Sequence, residues 1–320
     1  MSAAGPPFKR VALIGIGLIN GSLALNLRRT GLAGEIVACA RRAATLDKAR
    51  ALGLADRTTT RPAEAVEGAD LVVIGTPPAA AGAAAAAMAP GLAARAIVTD
   101  VGSIKTQILQ DVLPHLPAPQ RFVAGHPVAG TEHSGPEAAF EALFRGRHCI
   151  LTPLADTDPQ AVAAVTAMWQ AAGMRVETMT PEHHDRVLAI TSHLPHLIAY
   201  CIVGTVADLE DHLQTEVLRY AAGGFTDFTR IAGSDPVMWR DVFLNNREAV
   251  LEMLGRFSED LAALQRSIRW GEGDKLEELF TRTRAVRRGV IAEGQAYERQ
   301  ALTDAPREGA ADDADQRRRP

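Results

Sequence analysis

Six segments of this 320-residue chain hold residue types that could do chemistry. Gly15-Ile16-Gly17-Leu18-Ile19-Asn20-Gly21-Ser22 directly follows the apolar run Val11–Ile14. A glycine turn between a strand and a helix offers backbone N–H groups and a positive dipole end to phosphate. Gly15 permits the tight turn, Gly17 lets the main chain approach a pyrophosphate, and Leu18 and Ile19 follow as cofactor-binding positions. Asn20 stands where the fingerprint has its third glycine, which predicts a slightly shifted helix rather than lost binding. In Gly125-His126-Pro127-Val128-Ala129-Gly130-Thr131-Glu132, His126 is an imidazole whose pKa near neutrality suits a general base; the bland alternative is a loop histidine satisfied by backbone. Asp100-Val101-Gly102-Ser103-Ile104-Lys105 offers the Ser103 hydroxyl, either as an orienting group or as a helix N-cap. His193 and His196 lie one helical turn apart and share a face. Gly223–Ala232 carries Arg230, whose guanidinium fits a carboxylate in a bidentate fork, or an ion pair with Asp227. Asp235–Asp241 contains Trp239, either a pocket wall or a core residue.

These residues need elements to hold them. The first half alternates continuous apolar runs (Val11–Ile14, Ile36–Cys39, Leu71–Ile74, Ala96–Thr99, Phe122–Ala124) with helix-prone pieces (Ser22–Arg29, Ala44–Leu52, Ala79–Ala89, Lys105–Leu113). That alternation predicts an α/β fold, a Rossmann-type doubly wound parallel sheet covered on both faces. Two further strands, His148–Thr152 and Arg175–Thr178, flank a helix near Gln160–Gly173. Thr76-Pro77, Asp100–Lys105 and His126 all follow strands, where ligands collect in such sheets. After Pro181 the pattern is helical only. Val250, Leu254, Phe257, Leu261, Leu264 and Ile268 form one apolar stripe, and Leu276, Leu279, Thr283, Val286 and Val290 a second. The expected organisation is a dinucleotide-binding domain over 1–180, an all-helical substrate and dimerisation domain over 181–302, and a charged, disordered tail over 303–320.

Composition narrows the function classes. With 34 basic and 38 acidic residues the net charge is −4, so the chain has no global reason to bind nucleic acid or an anionic membrane. Cys39, Cys149 and Cys201 are too sparse for a disulfide framework, and no signal-peptide pattern opens the chain; the expected compartment is the cytoplasm. His183, His184, His193 and His196 invite a metal, but no HExxH, cysteine cluster or spaced carboxylate accompanies them, so none is expected. The second strand is followed by Arg41-Arg42 rather than by the acid that accepts ribose hydroxyls. Arg41 can grip a 2′-phosphate, which favours NADP over NAD, although arginine also stacks on adenine in NAD enzymes.

Taken in order over about residues 9–298, these motifs resemble the prephenate/arogenate (cyclohexadienyl) dehydrogenase family. The resemblance implies oxidative decarboxylation of prephenate or arogenate by hydride transfer to NAD(P), on the route to tyrosine, by a homodimer. His126 would take the proton of the substrate's ring hydroxyl, and Ser103 would orient that hydroxyl and the nicotinamide. Arg230 would bind the ring carboxylate with support from Asp227. His196 would face the substrate side chain with His193 close by, and Thr131, Glu132 and Trp239 would line the pocket. The alternatives are a β-hydroxyacid dehydrogenase or imine reductase, which would rely on a lysine or aspartate in the helical half, and a nucleotide sensor without catalysis.

Overall fold

The computed structural model describes residues 7–210, 216, 217, 219–221 and 223–304, the side chains of 292–304 excepted. Strands β1 (Phe8–Ile14), β2 (Ala33–Cys39), β3 (Arg57–Thr59), β4 (Leu71–Ile74), β5 (Ile97–Asp100) and β6 (Phe122–Val123) form a parallel sheet in the order β3-β2-β1-β4-β5-β6. The continuous apolar runs follow from burial on both faces. Val11, Leu13, Ile36, Leu71 and Val73 enter one core cluster, and Ala12, Ile14, Val37, Val72 and Ile74 the other. The strand order reverses between β1 and β4, which is the switch point where such sheets bind ligands.

Helices α1 (Leu18–Thr30), α2 (Ala43–Ala51), α3 (Pro62–Val66), α4 (Ala81–Met88) and α5 (Thr106–Val112) connect these strands. β3 escapes sequence reading because its three residues, Arg57-Thr58-Thr59, carry no apolar run. The expected strand Phe122–Ala124 is cut short. After β6 the chain passes into β7 (Gly125–Pro127) of a second sheet, antiparallel to β8 (His148–Leu151), which runs parallel to β9 (Arg175–Thr178) beyond α6 (Pro159–Ala171). His126 is therefore a strand residue opposite Ile150, not a loop residue. The crossing is tight: a Cβ on Gly125 would stand 3.1 Å from Leu151 Cδ2 and 3.2 Å from the Asp100 carbonyl oxygen.

The remaining elements are helical: α7 (Pro181–Leu188), α8 (Leu194–Ala207), α9 (Gly223–Thr229), α10 (Pro236–Asn245), α11 (Arg247–Trp270) and α12 (Gly273–Asp304). Two compact units result, Met1–Phe257 and Ser258–Pro320. The striped helices predicted from spacing are α11 and α12. Val250 is buried, whereas Leu261, Ile268, Val286 and Val290 are exposed in the single chain. Of the tail expected to be disordered, Thr303 and Asp304 close α12 and the rest lies outside the described residues. The run Pro181–Ala207 is long and apolar enough by composition to cross a membrane. That run carries Glu182, His184, Asp185, Arg186 and His193, and the hydrogen bonds of Asp185 and His193 tie it to the rest of the domain.

Candidate active site

At the switch point, Gly15 has φ +90°, and a Cβ there would stand 2.6 Å from the Gly75 carbonyl oxygen, so only glycine fits. A Cβ on Gly17 would meet nothing within 4 Å: the space over the turn is open. α1 begins there with no side-chain cap, leaving its first N–H groups for a ligand. The Thr76 hydroxyl, at the end of the neighbouring strand, is buried without a partner. These residues fit a dinucleotide. Asn20 is buried against the turn. Its Nδ2 donates to the Gly15 carbonyl at 2.7 Å and to the Val73 carbonyl at 3.3 Å. Gly75 makes the room, since a Cβ there would stand 2.4 Å from Asn20 Nδ2. Arg41 and Arg42 are exposed after β2, and Pro77 is exposed after Thr76.

A second constellation lies where β5 meets β7. Lys105 and Asp100, both fully buried, form an ion pair. Lys105 Nζ also donates to the Gly125 carbonyl at 2.7 Å, and Asp100 Oδ1 accepts from the Gly125 N–H at 3.0 Å. The pair thus holds both backbone groups of the residue before His126. Burial pulls the Lys105 ammonium below its usual range, and Asp100 opposes that pull. Asp100 Oδ2 accepts from the Gly102 N–H at 2.8 Å, which shapes the loop that carries Ser103. Ser103 does not cap the following helix. α5 starts at Thr106, and the Lys105 and Thr106 N–H groups are taken by the Asp185 carboxylate of α7, at 2.8 and 2.9 Å.

His126, only 8% exposed, meets its nearest polar partner in α7: Nδ1 lies 2.9 Å from His184 Nε2. His184 Nδ1 lies 2.8 Å from Asp185 Oδ1. α7 presents this pair because Pro181 opens its first turn and the Thr180 hydroxyl accepts from the His183 N–H. Desolvation, reinforced by His184, Lys105 and His193, holds His126 well below the usual histidine pKa, so the ring is neutral at pH 7.

The helical path from α7 into α8 contains a π turn at Ala189–His193. Pro195, with no N–H and a ring that crowds residue 191, forbids a regular helix here. His193 Nδ1 accepts from Asn246 Nδ2 at 3.0 Å, and the same amide donates to the Asp185 carbonyl at 2.9 Å. The His193 proton therefore sits on Nε2, buried with no protein partner, as is Trp239 Nε1. His196 Nδ1 donates to the Ser192 carbonyl at 2.8 Å, and its ring stacks on Trp239 with centroids 3.6 Å apart. Trp239 is thus both a core residue and the floor under His196. Arg230 pairs with Glu132 at 3.1 Å, not with Asp227. Thr131 Oγ1 accepts from the His133 N–H at 3.2 Å and shapes the same loop. Sequence reasoning missed His184, Asp185, Asn246 and Gly75 as site residues; only adjacent histidines on a helix hinted at the first. Among the described residues no group of three His, Cys, Asp or Glu could hold a metal ion.

Burial gives this cluster a pH signature. Desolvation lowers His184, and it lowers His193 to about 4. Below pH 6.5 the unfolded chain binds protons that the folded protein refuses. Stability is full above that pH and declines as pH falls from 6.5 toward 4. Denaturant midpoints taken at pH 7.5, 6.0 and 5.0 should decrease stepwise, and an unchanged midpoint at pH 5.0 would contradict the neutral, buried cluster.

A dinucleotide turn at a doubly wound switch point, with a buried neutral imidazole on the adjoining strand β7 of the second sheet, defines a dinucleotide-dependent dehydrogenase. Residues 23–178 match the family model for the prephenate dehydrogenase nucleotide-binding domain, and residues 180–282 that for its dimerization domain. The chain is 41% identical to the cyclohexadienyl dehydrogenase of Zymomonas mobilis, covering 88% of this chain and 95% of that protein. The crystal structure of Aquifex aeolicus prephenate dehydrogenase in complex with hydroxyphenyl propionate and NAD+ matches with a TM-score of 0.83 and 35% identity, over 91% of this chain and 100% of that one. Synechocystis arogenate dehydrogenase matches with a TM-score of 0.74 and 29% identity, over 88% and 99%. The chain belongs to the prephenate dehydrogenase family.

Proposed function

We propose that this chain oxidatively decarboxylates prephenate, arogenate or both, in the cytoplasm, giving 4-hydroxyphenylpyruvate or tyrosine on the route to tyrosine. The observation that carries this reading is His126: buried, held neutral, with Nδ1 engaged by His184 and one ring nitrogen left for a substrate proton. The Gly15–Gly17 turn and the start of α1 would hold the pyrophosphate of a nicotinamide dinucleotide, which when bound would supply the hydride acceptor. His126 Nε2 takes the proton of the ring hydroxyl as the hydrogen on the same carbon departs as hydride. The carbonyl so formed draws in the electrons of the bond to the ring carboxylate, carbon dioxide leaves, and the ring becomes aromatic. The proton held by His126 returns to the ring oxygen, so the histidine ends neutral.

Ser103 orients the hydroxyl and the nicotinamide. Arg230 takes the ring carboxylate in exchange for Glu132, and Asp227 supports it once Glu132 is released. His196 faces the side chain, with His193 behind it and Thr131, Glu132 and Trp239 as walls. Arg230→Ala should therefore raise KM for the cyclohexadienyl substrate by roughly tenfold or more, the scale of a lost charged hydrogen bond, and change kcat less. An unchanged KM would remove Arg230 from the site.

The cofactor proposed is NADP ahead of NAD, because Arg41 replaces the acid that would repel a 2′-phosphate. The proposed organisation is a dinucleotide domain to residue 180 and a helical domain from 181 to 302 that pairs two chains, covering Leu261, Ile268, Val286 and Val290. Sedimentation at a single-chain mass of 34.1 kDa would contradict the homodimer. Initial rates with prephenate and arogenate, each against NAD and NADP, test the reading. Activity with at least one pair is expected, and NADP should give the higher kcat/KM. Folded, cofactor-binding protein inactive with all four pairs would overturn it.

A further inference from the structure

We propose that His184 and Asp185 act as a positioning dyad behind His126, fixing its tautomer so that Nε2 is the bare nitrogen that meets the substrate. The proposal rests on the reading of His126 as the base. Asp185 Oδ1 already accepts from the Lys105 N–H, and Oδ2 accepts from the Thr106 N–H. Burial acts to raise the Asp185 carboxyl, but the hydrogen bonds from His184 and Thr106 outweigh it and keep the group ionised. An ionised carboxylate only accepts, so the 2.8 Å contact requires His184 to carry its proton on Nδ1. Neutral His184 then has a lone pair on Nε2. The 2.9 Å contact between two ring nitrogens needs one donor, and His126 Nδ1 must supply it. His126 Nε2 is left unprotonated.

The arrangement also prepares for the charge that develops. When Nε2 takes a proton, the imidazolium donates to a neutral imidazole whose own N–H rests on a carboxylate, so the charge is met by pre-set dipoles rather than by water. The groups facing His126 are His184 from α7, Lys105 from the turn before α5 and His193 from the π turn. Lys105 and a protonated neighbouring imidazole would oppose the charge, and among these groups the favourable path runs through His184 to Asp185. The arrangement matches in principle an aspartate that orients a catalytic histidine in hydrolases, with a second imidazole inserted between them. Neither His184 nor Asp185 touches the reacting atoms.

Two variants separate positioning from packing. His184→Leu keeps an apolar filler but leaves His126 Nδ1 without an acceptor. His184→Gln keeps a side-chain carbonyl that can accept from it. The expected result is a fall in kcat of roughly tenfold or more for His184→Leu, with KM within about twofold, and partial recovery of kcat in His184→Gln. Equal losses in the two variants, or a loss confined to KM, would overturn the proposal. A measurement on the unmodified protein covers the case in which His184→Leu does not fold. Histidine-specific 15N spectra, assigned by the loss of the His126 signals in His126→Ala, report which ring nitrogen carries the proton. His126 protonated on Nδ1 and His184 protonated on Nδ1 are expected at pH 7.5. A proton on His126 Nε2 would overturn the dyad even in protein with full activity, whereas expected spectra in an inactive protein would put the failure in the proposed reaction instead.

Discussion

Replacing His126 by alanine lowers kcat about a hundredfold or more, the scale of a lost acid–base group, while the cofactor still binds. The expectation follows from where the residue stands. The imidazole is buried, so no bulk water replaces it as a base at the same point. Its surroundings hold it neutral, so the whole population at pH 7 can accept a proton. The cofactor turn, Gly15–Gly17, follows β1 of the six-stranded sheet, whereas His126 lies on β7 of the other sheet. KM for the cyclohexadienyl substrate should change less than kcat, because the proton moves in the transition state and not on binding. Steady-state rates of reduced-cofactor formation, together with fluorescence titration by the cofactor, make the check. Full activity in His126→Ala would remove the base from the account.

Lys105→Met should destabilise the fold by about 3–5 kcal/mol, the penalty for leaving one member of a buried ion pair without its partner. Asp100 would keep the N–H groups of Gly102 and Gly125 but lose its only countercharge within the pair. The Gly125 carbonyl would also lose its donor. Because that carbonyl precedes His126, the damage should reach function: the surviving folded protein should turn over more slowly even where stability is restored by cofactor. Replacing both members, Lys105→Met with Asp100→Asn, removes the stranded charge and should recover part of the lost stability. Chemical denaturation of the single and double variants measures this. A single variant within about 1 kcal/mol of the parent would mean that the pair is better hydrated than its burial indicates.

The legible parts of this protein are those whose cause is local. Runs such as Val11–Ile14 and Leu71–Ile74 are apolar at every position because both faces of the sheet are covered, and composition alone reports that. The glycine turn is visible because its conformation demands glycine. What sequence could not show is set by partners far along the chain. Asn20 looks like a damaged fingerprint until Gly75, 55 positions away, is seen to make room for it. His184 reads only as one of four histidines that invite a metal until it meets His126, 58 positions away. Arg230 has an acid three residues before it in Asp227, yet pairs with Glu132, 98 positions away. Ser103 has the residue type for a helix cap, but Asp185 of another helix takes that place. Lysine is seldom buried, and only the position of Asp100 makes the burial of Lys105 tolerable.

In this chain hydride removal is coupled to loss of a carboxylate. The most direct measurement is the ratio of carbon dioxide released to reduced nicotinamide formed, in a limited turnover with whichever of prephenate or arogenate is accepted. One carbon dioxide is expected for each reduced cofactor at all times, because the ketone produced by hydride loss is what expels the carboxylate. Reduced cofactor accumulating without carbon dioxide would contradict it and would make the protein a plain alcohol dehydrogenase built on the same fold.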